Sequence, residues 1–317
     1  MTYDFNVATM DGEVQDDEAR LTKERRLATY SESALLAAEA IERIFVMTSE
    51  LKDSLAICDR IFQLAPRLRA PQGALIRGEP GSGLSTVAAY FTKSLPKSSL
   101  FDQGFGVQTI RLRASPTAGL IVSLLLRAVQ YPFTDVRKGR LYTMRDIAFE
   151  AIQQKRTKLI FIEMGHLLMS QVRQKNPDMT ETAASDMLNE LIDVTKVGVV
   201  MLARNILNDL TQVDKGLADR ISVRRTLTHF ADNAHWHGFI RAFVTQSKAF
   251  DLTVLDNAAV ASKTHLATGG NKRSFVRLTT EVALIGTDGG ATVATVAHLQ
   301  QAFERVRGQV AQSNPYA

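Results

Sequence analysis

Cysteine is almost missing from this sequence. Cys58 is the only one in 317 residues, so neither an intrachain disulfide nor a cysteine-based zinc cage can form. Glycine (19) and proline (8) are too sparse for a collagen-like repeat, and no low-complexity tract or internal repeat is visible. Long apolar runs are also lacking: charges or glycines interrupt every stretch before the roughly 18 residues that would cross a bilayer. Met1 to Arg20 is acidic, without a basic segment leading into an apolar one, so no signal peptide is expected and a cytoplasmic location is. No haem or zinc site is expected either.

What is there has the balance of an ordinary globular protein, with 45% hydrophobic and 22% charged residues. The length fits about two domains and a substantial core that needs no disulfide or structural metal. The net charge of +5 is unevenly spread. Residues 1–20 hold six acids (Asp4, Asp11, Glu13, Asp16, Asp17, Glu18) against Arg20, a charge of −5, which leaves +10 on the remainder. A basic body permits phosphate contacts with nucleic acid without establishing them.

Along the chain, residues 1–33 form an acidic arm with few large apolar side chains, expected to be extended or partly disordered. Apolar spacing from Ala34 predicts a helix capped by Ser31 or Ser33, and a second runs from Leu51 to Leu64, ending before Pro66. Short apolar runs then alternate with helical patterns. Strands are predicted at Ala74–Arg77, Val107–Arg113, Leu159–Glu163 and Val197–Ala203. Helices are predicted at Ser85–Ser94, Ala118–Val129, Met144–Gln154 and Ala183–Thr195. That order implies βαβ units and a parallel sheet covered on both faces. After about Leu227 the strands stop, and helices are expected at His235–Gln246, Asp256–Thr264, Ser274–Ile285 and Val293–Arg307. The expected division is therefore an α/β domain over 34–227, a helical domain over 228–310 and a tail over 311–317.

The most informative segment is Gly78-Glu79-Pro80-Gly81-Ser82-Gly83-Leu84-Ser85-Thr86, which follows a predicted strand and opens a predicted helix. A phosphate loop has the pattern G-x-x-x-x-G-K-[ST] in that setting. Its glycines let successive N–H groups converge on phosphate oxygens at a helix N-terminus. Ser85 stands where a hydroxyl would hold Mg²⁺, but Leu84 stands where the lysine belongs. A charge-assisted hydrogen bond contributes roughly 1.5–3 kcal/mol, so its loss weakens nucleotide binding about ten- to hundredfold. The alternative is a glycine-rich turn with no ligand.

Leu159-Ile160-Phe161-Ile162-Glu163-Met164 has the form of a Walker B strand, in which four apolar residues precede an acid for Mg²⁺ and a base that orients water. Glu163 takes the metal position. Met164 takes the position of the base and cannot accept a proton.

With these segments in hand, the chain resembles the TniB/TnsC-type AAA+ proteins, which assist transposases in choosing and holding target DNA. The resemblance spans roughly residues 34–307. It extends to Leu188-Asn189-Glu190-Leu191, to Leu217-Ala218-Asp219-Arg220-Ile221, and to His235-Trp236-His237-Gly238-Phe239 and Thr268-Gly269-Gly270, where lid helices begin. It implies an AAA+ three-layer αβα domain followed by a helical lid. Weak ATP and Mg²⁺ binding through Gly78–Thr86 and Glu163 is implied as well. Carried over by position, Arg220 matches a trans-acting arginine finger, with a surface arginine as the alternative. Arg204 falls at the sensor-one position, and Lys272, Arg273 and Arg277 are sensor-two candidates. Arg77 or Arg204 are candidates to replace the missing charge at Leu84.

The basic clusters Arg137, Lys138, Arg140 and Arg173, Lys175 are candidates for tracking a DNA backbone, or else solvated faces. Family members assemble around duplex DNA as rings or filaments, which favours DNA. His235 and His237 lack an acid or cysteine to complete a metal site, and helical geometry points them apart. The function expected is a TniB-like accessory protein of DNA transposition, hydrolysis-impaired, bridging transposase to target DNA or a target-selection protein as a homo- or hetero-oligomer. Two alternatives stay open: an active ATPase with substitute residues, and a protein-only scaffold of an AAA+ assembly.

Overall fold

The computed structural model describes residues 30–97, 105–169, 184–307 and 313–317. Two compact units are present. An α/β unit comprises residues 47–230 with Asn271–Arg273, and a helical unit comprises the chain up to Val46, Ala231–Gly270 and the chain from Ser274.

The α/β unit is built on a five-stranded sheet: β1 (Ala74–Gly78), β2 (Val107–Arg111), β3 (Leu159–Glu163), β4 (Gly198–Arg204) and β5 (Val223–Leu227). The order is β2-β3-β4-β1-β5 and every pairing is parallel. Leu159, Ile160, Phe161 and Ile162 are all buried, because a parallel sheet covered on both faces takes continuous apolar strands. Helices α2 (Ser49–Leu64), α3 (Leu84–Ser94), α4 (Ala118–Ala128), α5 (Leu141–Gln154), α6 (Ala184–Thr195) and the short α7 (Lys215–Arg220) belong to this unit. On one face Phe91 of α3 packs edge-on between Phe161 of β3 (5.7 Å) and Phe62 of α2 (5.8 Å). On the other, Ile121, Leu125, Leu188 and Leu191 of α4 and α6 close a continuous apolar core with Ile160 and Ile162. Cys58 is buried and its thiol is pushed up to about 12, which leaves it protonated.

The sheet ends in a strand that hydrophobic patterning does not reveal. β5 lies at the edge, only Leu227 is buried, and Arg224, Arg225 and Thr226 are exposed. Charged residues on an edge strand discourage pairing with other chains, and they also erase the apolar signal.

In the helical unit, α1 (Glu32–Glu42), capped by the Ser31 hydroxyl, groups with α8 (Ala234–Gln246), α9 (Ala258–Thr268), α10 from Ser274 (α10 runs Lys272–Asp288) and α11 (Val296–Arg307). The Ser31 backbone N–H also donates to Asp288 Oδ1 at 2.9 Å. The core of this unit is aromatic: Trp236, Phe239 and Phe243 of α8 meet Phe275 of α10 at 5.0–5.4 Å between ring centres. The buried Trp236 indole N–H donates to the Ala261 carbonyl at 2.9 Å, so its one polar atom is satisfied. A parallel bridge, Asp251 to Val293, lies beyond the sheet, in a region where only helices were expected. Among the described residues, no helix is long and apolar enough to cross a membrane.

Candidate functional site

The parallel strands bring Gly78, Glu163 and Arg204 to one edge of the sheet, the C-terminal edge, where α/β folds place their ligands. Gly78 is in register with Arg204 on one side and with Leu227 on the other. The loop Gly78–Gly83 joins β1 to α3. Gly81 (φ +88°) and Gly83 (φ +108°) both lie in the left-handed region that favours glycine. Helices α1, α2, α4, α7, α8 and α9 begin with a side chain that accepts from a first-turn N–H. α3 begins at Leu84 after Gly83 with no side-chain cap, which leaves its first-turn donors without a side-chain partner. Ser82 is buried and its Oγ has no hydrogen-bond partner. Ser85 is exposed one residue into α3, and Thr86 is half-buried. This cradle fits a phosphate chain: the glycines give the bend, and α3 presents uncapped amides with an exposed hydroxyl beside them.

The loop is clasped by residues far from it in sequence. Asn271 Nδ2 donates to the Pro80 carbonyl at 2.8 Å and lies 3.2 Å from His229 Nε2. His229 Nδ1 lies 3.1 Å from Glu79 Oε2. A Cβ at Gly81 would come within 2.2 Å of Asn271 Oδ1, so the absence of a side chain there makes room for the contact. Lys272 Nζ donates to the Ser82 carbonyl at 3.1 Å and sits 5.1 Å over the Phe230 ring. Burial lowers the Lys272 pKa, a shift that the charge of Glu50 partly opposes. Glu50 itself accepts from the Thr228 hydroxyl (2.6 Å) and backbone N–H (3.2 Å).

At the end of β3, Glu163 is half-buried and reaches the Arg111 guanidinium only at 3.9 Å. Met164 has a left-handed backbone (φ +61°), is partly buried against the sheet core, and carries no group that could accept a proton. His166 is buried and its Nδ1 accepts from the Arg204 backbone N–H at 3.3 Å. Its pKa is lowered, first by burial and then by the Arg204 charge, so it stays neutral and keeps an acceptor. Asn205, just after β4, carries a buried Oδ1 without a hydrogen-bond partner.

The other expected residues are dispersed. Arg77 is tied to Thr226 Oγ1 (3.0 Å) and the Asn208 carbonyl (2.9 Å). Arg273 is exposed, and only its backbone N–H engages Asn271. Arg220 is held by Asp193. Arg137, Lys138 and Arg140 are exposed in the segment leading into α5, with Arg137 3.5 Å from Asp135. Arg173 and Lys175 lie outside the described residues. His235 is exposed, while His237 lies 3.6 Å from Asp232. Among the described residues, no group of three or more His, Cys, Asp or Glu side chains has the geometry of a metal site. Sequence reasoning passed over His229 and Asn271. The only local signal for Asn271 is the polar triplet that follows Gly269-Gly270.

A five-stranded parallel sheet in this order, a glycine-rich loop between β1 and α3, an acid closing β3 and a separate helical unit make up the fold of AAA+ P-loop proteins. The bacterial TniB protein family matches residues 38–230, and the chain belongs to that family. Solved structures of similar fold include the Aeropyrum pernix ORC1 protein in complex with DNA. It is 16% identical with a TM-score of 0.59, and the match covers 85% of this chain and 69% of that one. The ORC2 protein of the same organism, in ADPNP-ADP complexes, is 12% identical with a TM-score of 0.61, covering 86% and 72%. Drosophila ORC bound to DNA is 13% identical with a TM-score of 0.55, covering 94% and 74%. No curated protein sequence matches the chain.

Proposed function

We propose that this chain is an AAA+ accessory protein of DNA transposition that holds ATP without efficient hydrolysis and binds duplex DNA through its basic surface. The observation that carries the reading is the loop itself. In a chain of the TniB family, Gly81 and Gly83 adopt the backbone that turns amides toward a phosphate, and α3 begins without a side-chain cap. The residues that would hold the nucleotide are Gly78–Thr86, with Ser85 and Glu163 toward Mg²⁺. When bound, ATP would supply the phosphate charge that ties one protomer to the next. Hydrolysis is impaired because Met164 offers no proton acceptor and packs against the core.

Among the solved structures of similar fold, Aeropyrum pernix ORC1 is in complex with DNA, Drosophila ORC is bound to DNA and Aeropyrum pernix ORC2 is in ADPNP-ADP complexes, which supports both parts of the proposal. Arg137, Lys138 and Arg140 are candidate phosphate contacts, joined by Arg173 and Lys175. Transposase and a target-selection protein are the proposed partners, in a homo- or hetero-oligomer. Fluorescence polarisation with a duplex of arbitrary sequence, with and without MgATP, tests the DNA half. Sequence-independent binding that weakens steeply with salt is expected. No binding at low ionic strength under either condition would favour the protein-only scaffold.

A further inference from the structure

We propose that Lys272 supplies the phosphate-binding cation that the loop lacks at Leu84. The inference deepens the nucleotide reading above and rests on it. A lysine inside the loop would place its ammonium beside the loop's own carbonyls and amides. Lys272 puts an ammonium there from 190 positions away, with Nζ 3.1 Å from the Ser82 carbonyl, one residue before Gly83 and two before the first residue of α3. An ammonium has three donors, and the carbonyl takes one.

The surroundings of this ammonium are those of a cation awaiting an anion. No carboxylate among the described residues is within ion-pair distance. Glu50, whose charge partly opposes the effect of burial on Lys272, is engaged by the hydroxyl and backbone N–H of Thr228. The Phe230 ring supplies a weak cation–π contact at 5.1 Å. Burial without a charged partner disfavours the protonated form, and a phosphate would reverse that penalty.

The placement is built in from both sides of Lys272. Asn271 Nδ2 fixes the segment to the Pro80 carbonyl, and Asn271 Oδ1 accepts from the Arg273 N–H at 3.0 Å. Gly81 leaves the space that Asn271 fills. The competing cations are otherwise placed: the Arg77 guanidinium is bound by Thr226 and Asn208, and Arg273 is exposed. Consecutive helical residues point about 100° apart, and of these two it is Lys272 that reaches the loop while Arg273 is exposed.

Titration of a fluorescent ATP analogue with Mg²⁺ against the wild type, K272M, K272R and the double variant L84K/K272M tests the assignment. K272M should weaken binding about 10- to 100-fold, and K272R should retain more of it. L84K in the K272M background should restore affinity to within a few-fold of wild type. Wild-type protein that ignores millimolar nucleotide would overturn the nucleotide reading and this inference together. Equal binding by wild type and K272M, or no recovery in the double variant, would overturn the role of Lys272 alone. A second measurement needs no substitution: burial lowers the Lys272 pKa and a bound phosphate would raise it, so nucleotide binding at alkaline pH should take up protons, seen as a dependence of the calorimetric heat on buffer ionisation enthalpy. Proton-neutral binding there would also overturn the assignment.

Discussion

Arg220 and Asp193 meet as a two-pronged pair: Nε lies 2.8 Å from Oδ1 and the second prong closes at 2.5 Å on Oδ2. A third guanidinium donor is taken by the Gly216 carbonyl at 2.9 Å. Arg220, proposed as a trans-acting arginine finger, is therefore folded back on its own chain. To reach a neighbour's phosphate it must exchange one bidentate anion for another, a swap that needs no new chemistry.

The pair has a pH signature. Hydrogen bonds from Arg220 hold the Asp193 carboxyl below its usual range. A lowered carboxyl contributes stability above the unfolded aspartate value, about 3.9, and that contribution is lost as pH falls through the folded value. Both side chains are partly exposed, so Asp193→Asn should cost only about 0.5–1 kcal/mol at pH 7. The gap between wild type and variant in urea unfolding should narrow below about pH 4. In sedimentation with MgATP, DNA and a catalytic paralogue, Arg220→Ala should impair assembly while Asp193→Asn should not. Equal assembly by wild type and Arg220→Ala would remove the trans role.

Gly81 and Gly83 should respond differently to a methyl group. Both have positive φ, so alanine strains either backbone by about 1 kcal/mol or more. At Gly83 the new Cβ meets nothing nearer than Thr86 Oγ1 at 4.0 Å, whereas at Gly81 it collides with the Asn271 amide. Gly81→Ala should thus lower the melting temperature further than Gly83→Ala, and Asn271→Ala should recover part of the difference. Additive effects of Gly81→Ala and Asn271→Ala would refute the contact.

Replacing Arg137, Lys138 and Arg140 together with alanine should flatten the salt dependence of DNA binding. Each lost phosphate contact removes about 0.9 from the log–log slope, so the triple change should lower its magnitude by roughly 2–3. An unchanged slope would move the DNA surface elsewhere.

The legible parts of this molecule are those with a local period or a local spacing. β3 announces itself as an unbroken buried apolar run, and Gly78–Thr86 through glycines at fixed offsets between a strand and a helix. β5 is silent because its residues before Leu227 face water in part or wholly, and adjacency to β1 is a property of the sheet, not of the segment. The clasp on the loop joins residues about 150 and 190 positions apart, and a helix start can aim either of two neighbouring cations inward. Sequence reasoning offered Lys272, Arg273 and Arg277 alike, and Lys272 is the one in contact with the loop. A separation of 27 positions, across two different helices, hid Asp193 from Arg220.

The proposed site would grip ATP and not turn it over. The most direct measurement is ATP affinity and steady-state phosphate release on the same unmodified preparation, with Ser85→Ala and Met164→Glu alongside. The expected result is measurable binding that Ser85→Ala weakens, with phosphate release at background until Met164→Glu restores a base. Robust hydrolysis by the unmodified chain, abolished by Ser85→Ala, would contradict it and make the protein an active ATPase.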